Sequence, residues 1–193
     1  MAGRIRHVAA SRYKTVPWRN GGGMTAEIAI EPEGAAVDSK FLWRISLARI
    51  DRGGPFSPFD GYDRTIALVS GAGMVLNFRE RGSARIDKPL QLLAFSGEWA
   101  PGCALVEGPT EDLNVMTDRA RVRHQVQLIE PSTAGRTAKV APTLAIFAPA
   151  GGRATIDGET VQIGERDTVI ADGAAQVTFA SGGAALAIGL FTI

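Results

Sequence analysis

Twenty-three glycines and ten prolines are spread along all 193 residues, and they cut the chain into short segments that rarely show a helical period. Between these breaks lie runs that alternate in polarity or are rich in β-branched and aromatic residues, the pattern of strands bounded by turns. Residues 24–30 form one such run, with Met24, Ala26, Ile28 and Ile30 expected on one face and Thr25, Glu27 and Ala29 on the other. In residues 41–50, Phe41, Trp43, Ile45 and Leu47 line one side while Arg44 and Ser46 point to the other. Further strands are expected at 64–69, 74–78, 91–95, 104–106, 113–117 and 122–129. Another set follows at 143–147, 153–156, 160–163, 168–170, 176–179 and 184–192. Residues 130–140 have the composition of a linker. Many short strands separated by turns predict an all-β sandwich or barrel.

The chain reads as two related halves. Thr65 to Asn77 is a strand, a glycine turn and a second strand, and Thr143 to Ile156 repeats that order. Their chemistry differs: residues 140–193 carry only seven of the 41 charged side chains, so polar function is expected in the first half. A net charge of +1 gives no electrostatic case for nucleic acid or an anionic membrane. Cys103 is the single cysteine, which excludes an intrachain disulfide and fits a reducing, cytoplasmic setting. The N-terminus lacks the apolar stretch of a secretory signal, and residues 184–193 are too few to span a bilayer.

Several segments carry a family likeness. Pro17-Trp-Arg-Asn-Gly-Gly-Gly-Met-Thr-Ala-Glu-Ile-Ala resembles the opening signature of the HutD/Ves family. Phe41-Leu-Trp-Arg-Ile-Ser-Leu-Ala, the run from Gly54 to Gly73 and Asp112-Leu-Asn-Val-Met-Thr are similar to it in the same order. Gly158-Glu-Thr-Val-Gln-Ile-Gly-Glu-Arg-Asp-Thr-Val-Ile resembles the middle of many cupins. The resemblance implies a bicupin, two cupin-like β-barrel or jelly-roll halves in one chain, and an association with histidine catabolism. It is carried well by the first half; the second half matches only as a generic cupin repeat.

Metal-binding cupins carry two closely spaced histidines and a glutamate on one strand and a third histidine later. The corresponding strand here, Met74-Val-Leu-Asn-Phe, has none, and the chain holds only His7 and His124. No transition-metal site and no cofactor are therefore expected, although an all-oxygen site stays open. His7 reads as a terminal surface residue. Arg119, Arg121 and Arg123 read as a solvated strand face.

The candidate ligand site gathers Trp18, Arg19, Asn20, Gly21, Gly22, Gly23, Thr25, Glu27, Arg44, Ser46 and Arg64. Three successive glycines let backbone approach a ligand closely and can present N–H groups to an anion. Arg19 and Asn20 add donors, and Trp18 adds a flat apolar wall. A guanidinium at Arg44 inside a barrel needs either Glu27 as an internal partner or the carboxylate of a ligand. Arg64, next to Asp63, is ambiguous in the same way. Glu27, Glu98, Glu107 and Asp112 are the candidate general acids or bases, and no nucleophile–base constellation is visible.

The expected organisation is a ligand-binding half at 1–130 and a structural half at 140–193. The expected function is metal-independent binding of a small carboxylate metabolite, with urocanate and formylglutamate implied by the family, in a sensor for histidine utilisation. The rival readings are a metal-free lyase, isomerase or hydrolase using Glu27 and Arg44, and a structural or protein-binding module. A homodimer is left open.

Overall fold

The computed structural model of the chain describes residues 4–130, 132–137, 141–174, 176–181 and 183–193. Its strands begin with Arg4–Val8 (β1), Lys14–Pro17 (β2), Gly23–Glu31 (β3), Trp43–Ile50 (β4), Gly54–Pro55 (β5), Tyr62–Ser70 (β6) and Met74–Asn77 (β7). Ser83–Ile86 (β8), Leu92–Ser96 (β9), Gly102–Leu105 (β10), Thr110–Asp118 (β11) and Val122–Ile129 (β12) follow. The last are Ser132–Thr137 (β13), Thr143–Phe147 (β14), Gly152–Ile156 (β15), Glu159–Ile163 (β16), Thr168–Asp172 (β17), Val177–Ser181 (β18) and Ala185–Thr192 (β19). The helical content of the described residues is three short 3-10 turns. No helix among them is long and apolar enough to cross a membrane.

The chain divides into two units. Lys14–Val122 form one; Arg123–Ile193 and the N-terminal Met1–Tyr13 form the other. In the first, a six-stranded sheet ordered β2-β3-β4-β11-β6-β9 accompanies a four-stranded sheet ordered β5-β10-β7-β8. Ile50, Ile66 and Leu68 from the larger sheet pack with Met74, Leu76, Ile86 and Cys103 from the smaller. In the second, β1-β17-β14-β19-β12 accompany β13-β18-β15-β16. Leu144, Ile146, Val169 and Ala187 there pack with Ala154, Ile156, Val177 and Phe179. One strand order recurs: β4-β11-β6-β9 corresponds to β12-β19-β14-β17, and β5-β10-β7-β8 to β13-β18-β15-β16.

The turn that carries the chain from β6 in the larger sheet to β7 in the smaller shows why glycine sits in the repeat. Gly73 has φ +96°, and a Cβ there would lie 2.0 Å from the Ile86 carbonyl oxygen. Only a residue without a side chain lets the turn pass that close to β8.

Several expectations are corrected. The sheet orders have free edges, so each unit is a pair of packed sheets and not a closed barrel. The division at 130–140 is displaced. β1 pairs with β17 along its length, and this draws the N-terminus into the C-terminal unit. The expected linker contains β13, which pairs with the edge of β18; residues 131 and 138–140 lie outside the described residues. Its Ser, Thr and Arg composition suits an edge strand as well as a loop, and composition alone does not separate the two. The faces of β3 are also reassigned. Glu27 pairs with Ser46 and Ala29 with Ile45, leaving Ile28 as an extra residue in a β-bulge. Ile30 thus joins Thr25 and Glu27 on one face, and Ala29 joins Met24 and Ala26 on the other.

Candidate functional site

The antiparallel register of β4, β11 and β6 sets the site out as three rows across one face of the larger sheet. Arg44, Met116 and Arg64 form the first row; Ser46, Asn114 and Ile66 the second; Ala48, Asp112 and Leu68 the third. β3 adds Glu27 opposite Ser46 and Thr25 opposite Ala48. Period-two alternation puts these side chains on the face that also carries the core residues Ile66 and Leu68. Polar groups thus occupy one part of an otherwise apolar layer.

Arg44 and Arg64 flank Met116 one strand to either side, about 10 Å apart at the backbone given ordinary strand spacing. Arg44 donates from Nε to Glu27 Oε2 at 2.8 Å, with side-chain exposures of 11% and 20%. Arg64 is more deeply placed, at 5% exposure. Its guanidinium lies 5.1, 5.3 and 5.5 Å from the ring centres of Phe95, Phe56 and Phe59. Its sole protein hydrogen bond among the described residues is a long one, 3.5 Å from Nη1 to the Ser57 carbonyl, and its buried Nε has no partner. Burial lowers the Arg64 pKa to about 10, opposed by Asp112 and reinforced by Arg44. The group still carries its charge at neutral pH.

Asp112 and Asn114 complete the polar set. Asp112 is 1% exposed, and neither of its carboxyl oxygens has a hydrogen-bond partner. Burial pushes its pKa up to about 7, with Arg64 pulling down and Glu111 pushing up. Asn114 Oδ1 is likewise buried without a partner. Buried polar atoms are nearly always satisfied, so four such atoms in one cluster need an explanation.

The glycine loop is arranged differently from an open anion nest. The Trp18 N–H donates to the Gly23 carbonyl and the Gly21 N–H to the Trp18 carbonyl, each at 2.9 Å. The Gly22 N–H donates to Asn20 Oδ1 at 2.9 Å, and the Gly22 carbonyl accepts from the Asp51 and Arg52 N–H groups. Arg52 Nη2 donates to the Gly21 carbonyl. Arg19 is exposed, and Trp18 Nε1 donates to Thr25 Oγ1 at 2.8 Å. Gly23 is required sterically: a Cβ would lie 2.1 Å from the Arg49 carbonyl oxygen. Gly23→Ala should therefore cost about 2 kcal/mol, the scale of a forced backbone displacement, and melting curves will show it.

Other readings change with the geometry. Arg119 and Arg121 lie in the turn before β12 rather than on a strand face. Arg119 holds Asp63, Glu98, Ser96 and the Tyr62 carbonyl together. That guanidinium, with Ser96, holds the Glu98 carboxyl well below the usual range, so Glu98 is a fixed anion and a poor proton carrier. His7 sits in β1 and meets Asp167 Oδ2 through Nε2 at 2.7 Å. Burial pushes the Cys103 thiol up to about 11, consistent with a packing role beside Met74. Among the described residues no group of three or more His, Cys, Asp or Glu is placed so that it could hold a metal ion. The residues of the rows supply two guanidinium groups where a cation would have to sit, a poor fit to a resident metal.

Alternation in the sequence pairs Arg44 with Ser46 and Thr25 with Glu27 on polar strand faces and leaves Arg64 ambiguous; all five prove to share one face. Sequence reasoning treated Asp112 only as a generic acid and passed over Asn114. Both stand in the segment Asp112-Leu-Asn-Val-Met-Thr, where alternation puts Asp112, Asn114 and Met116 together opposite the apolar Leu113 and Val115. Two polar residues facing the core side of a central strand were the available signal.

Packed β-sheet pairs with this strand order make the protein all-β and cupin-like. Solved structures with only 7–12% identity and TM-scores of 0.61–0.70 share the fold alone. The chain belongs to the HutD family, whose model matches residues 10–188. A Pseudomonas putida relative, an uncharacterized 21.2 kDa protein in the hutC 3′ region, is 35% identical over 145 residues, 75% of this chain and 74% of its own. HutD from Pseudomonas fluorescens SBW25, solved in a formate condition, is 30% identical with a TM-score of 0.82, over 98% of this chain and 100% of that one. A conserved protein of unknown function from Pseudomonas aeruginosa PAO1 is also 30% identical, with a TM-score of 0.90 over 97% and 99%. These relatives associate the family with the histidine utilisation operon.

Proposed function

We propose that the protein binds a small carboxylate-bearing metabolite on the Arg44–Arg64 face of the Lys14–Val122 unit, and acts as a metal-independent cytoplasmic sensor in histidine utilisation. The observation that carries this reading is the pair of guanidinium groups in one row, one of them buried and almost without hydrogen bonds. Two like charges in a low-dielectric layer repel, and a buried guanidinium without acceptors is costly. An anion between them relieves both, and a carboxylate matches the planar fork of arginine. Arg44 meets Glu27 through Nε alone, so its terminal amino groups make no protein hydrogen bond among the described residues. The glycine loop contributes shape, since its N–H groups at Gly21 and Gly22 are engaged.

The recurring strand order supports reading the two units as two cupin-like halves of a bicupin. The charge-poor C-terminal half then serves as a structural partner without a ligand of its own.

The test is titration of urocanate and N-formylglutamate into the wild type and into Arg64→Met. A charge-assisted hydrogen bond contributes about 1.5–3 kcal/mol, so the variant should bind about ten- to a hundredfold more weakly. Methionine fills the aromatic surroundings of Arg64 without a charge, so the fold should be kept. Absence of binding to the wild type, or unchanged affinity in Arg64→Met, defeats the reading. Turnover of either compound would replace sensing with catalysis.

A further inference from the structure

The carboxylate-binding reading leaves Asp112 without a role, and its surroundings give it one. We propose that Asp112 is a proton-coupled residue of the anion site: its carboxyl group takes up a proton when a carboxylate binds at Arg64, so binding consumes a proton and weakens as the pH rises. This rests on the proposed function and adds a regulatory residue to it.

Asp112 lies in the same layer as Arg64, two rows along, yet makes no ion pair or hydrogen bond with it among the described residues. Its ionised form acts on Arg64 only through the field. A ligand anion arriving at Arg64 places a second negative charge in the same low-dielectric layer. Two anions that share one cation there repel strongly, and the side chain that can shed its charge is the one already poorly solvated.

Hydrogen bonding points the same way. The unpartnered buried atoms on this strand are three acceptors, the two Asp112 oxygens and Asn114 Oδ1. An ionised carboxylate adds only acceptors, whereas the acid form supplies an O–H donor. Asn114 is two residues along the same face, so protonation gives these three acceptors a donor on their own strand.

The groups facing Asp112 are few. Arg64 on β6 favours its ionised form and Glu111 on its own strand opposes it. Cys103 on β10 feels the carboxylate but stays a neutral thiol. β4 presents the uncharged Ala48 directly opposite, with Ser46 in the next row and Arg44 beyond it, and β3 presents Thr25 and Glu27. Glu27 is tied to Arg44. A burial-raised pKa of about 7 puts the exchange in the physiological range.

The experiment is calorimetric titration with N-formylglutamate, whose own carboxyl groups stay ionised from about pH 5.5 to about pH 8.5. Each titration is run in two buffers of different ionisation enthalpy, which counts protons. The wild type should take up about half a proton or more per ligand near neutral pH, and its Kd should rise severalfold to about tenfold per pH unit above it. Asp112→Asn, a permanently neutral mimic of the acid form, should show no uptake and a flat pH profile. At about pH 8 it should bind more tightly than the wild type, a gain that a merely structural aspartate would not produce. Binding without proton uptake, or a variant that keeps the wild-type pH profile, overturns the proposal while leaving carboxylate binding intact. Absence of binding at every pH overturns both. Should the variant fail to fold, the proton count on the wild type decides alone.

Discussion

Asp112→Asn is expected to make the protein more stable, and increasingly so as the pH rises from about 4 to about 7. In the folded protein the Asp112 pKa is raised from 3.8 to about 7. Between those values the folded state keeps a proton that the unfolded chain has released. Unfolding therefore releases protons, and stability falls as the pH rises through this window. Above the folded value the loss is complete and constant. At 1.36 kcal/mol per pKa unit, the ionised side chain costs the wild type up to about 4 kcal/mol. Asparagine removes that slope while keeping the shape of the side chain, and its amide supplies donors to the same layer. Melting curves at pH values near 5 and 8 measure it. The variant should gain roughly 10 °C at the higher pH, using 2–4 °C per kcal/mol for a chain of this size, and clearly less at the lower. Equal gains at both values would mean that Asp112 is not the titrating group. A loss at both would mean that its carboxylate supports the fold directly.

The second large effect concerns Arg44 and Glu27. Removing one partner of a buried ion pair typically costs 3–5 kcal/mol because the other charge is left uncompensated, and the modest exposure of this pair reduces that. Glu27→Ala should cost about 3 kcal/mol, since it leaves Arg44 and Arg64 in one row without the counter-ion that Glu27 supplies from the neighbouring row. Arg44→Ala should cost less, about 2 kcal/mol, because Glu27 is the more exposed partner and keeps more contact with water when left alone. The two variants should then separate in binding. Glu27→Ala frees a guanidinium for a ligand carboxylate and should bind more tightly; Arg44→Ala should bind more weakly. A double-mutant cycle gives the coupling directly, expected at about 1–3 kcal/mol. Two variants that lose stability equally and bind as the wild type does would make the pair purely architectural.

These expectations use residues that the sequence exposed unevenly. The inward placement of Arg44 and Ser46 followed from alternation along residues 41–50, and their burial beside Glu27 agrees with it. The Glu27 pairing was one of two open alternatives, because a strand pattern states which way a side chain points and not what stands opposite. On β3 even the pointing failed past Ile28: a bulge adds one residue and inverts every later side chain. The nest reading of the glycines rested on what glycine permits. The structure shows the Gly21 and Gly22 N–H groups bonded within the loop, with the lack of a side chain at Gly23 needed for the approach of Arg49.

The sequence by itself determined the all-β class, the family and the polar character of the first half, because these are written in local period, turn residues and composition. It also made a histidine-based metal site implausible by count alone. Only the tertiary structure decided that β1 belongs with the C-terminal unit, that residues 132–137 are a strand, and that Arg64 and Asp112 lie buried in one layer. Such facts depend on the register between strands distant in the chain. A carboxyl group's proton affinity likewise depends on which charges and how much water that register leaves beside it.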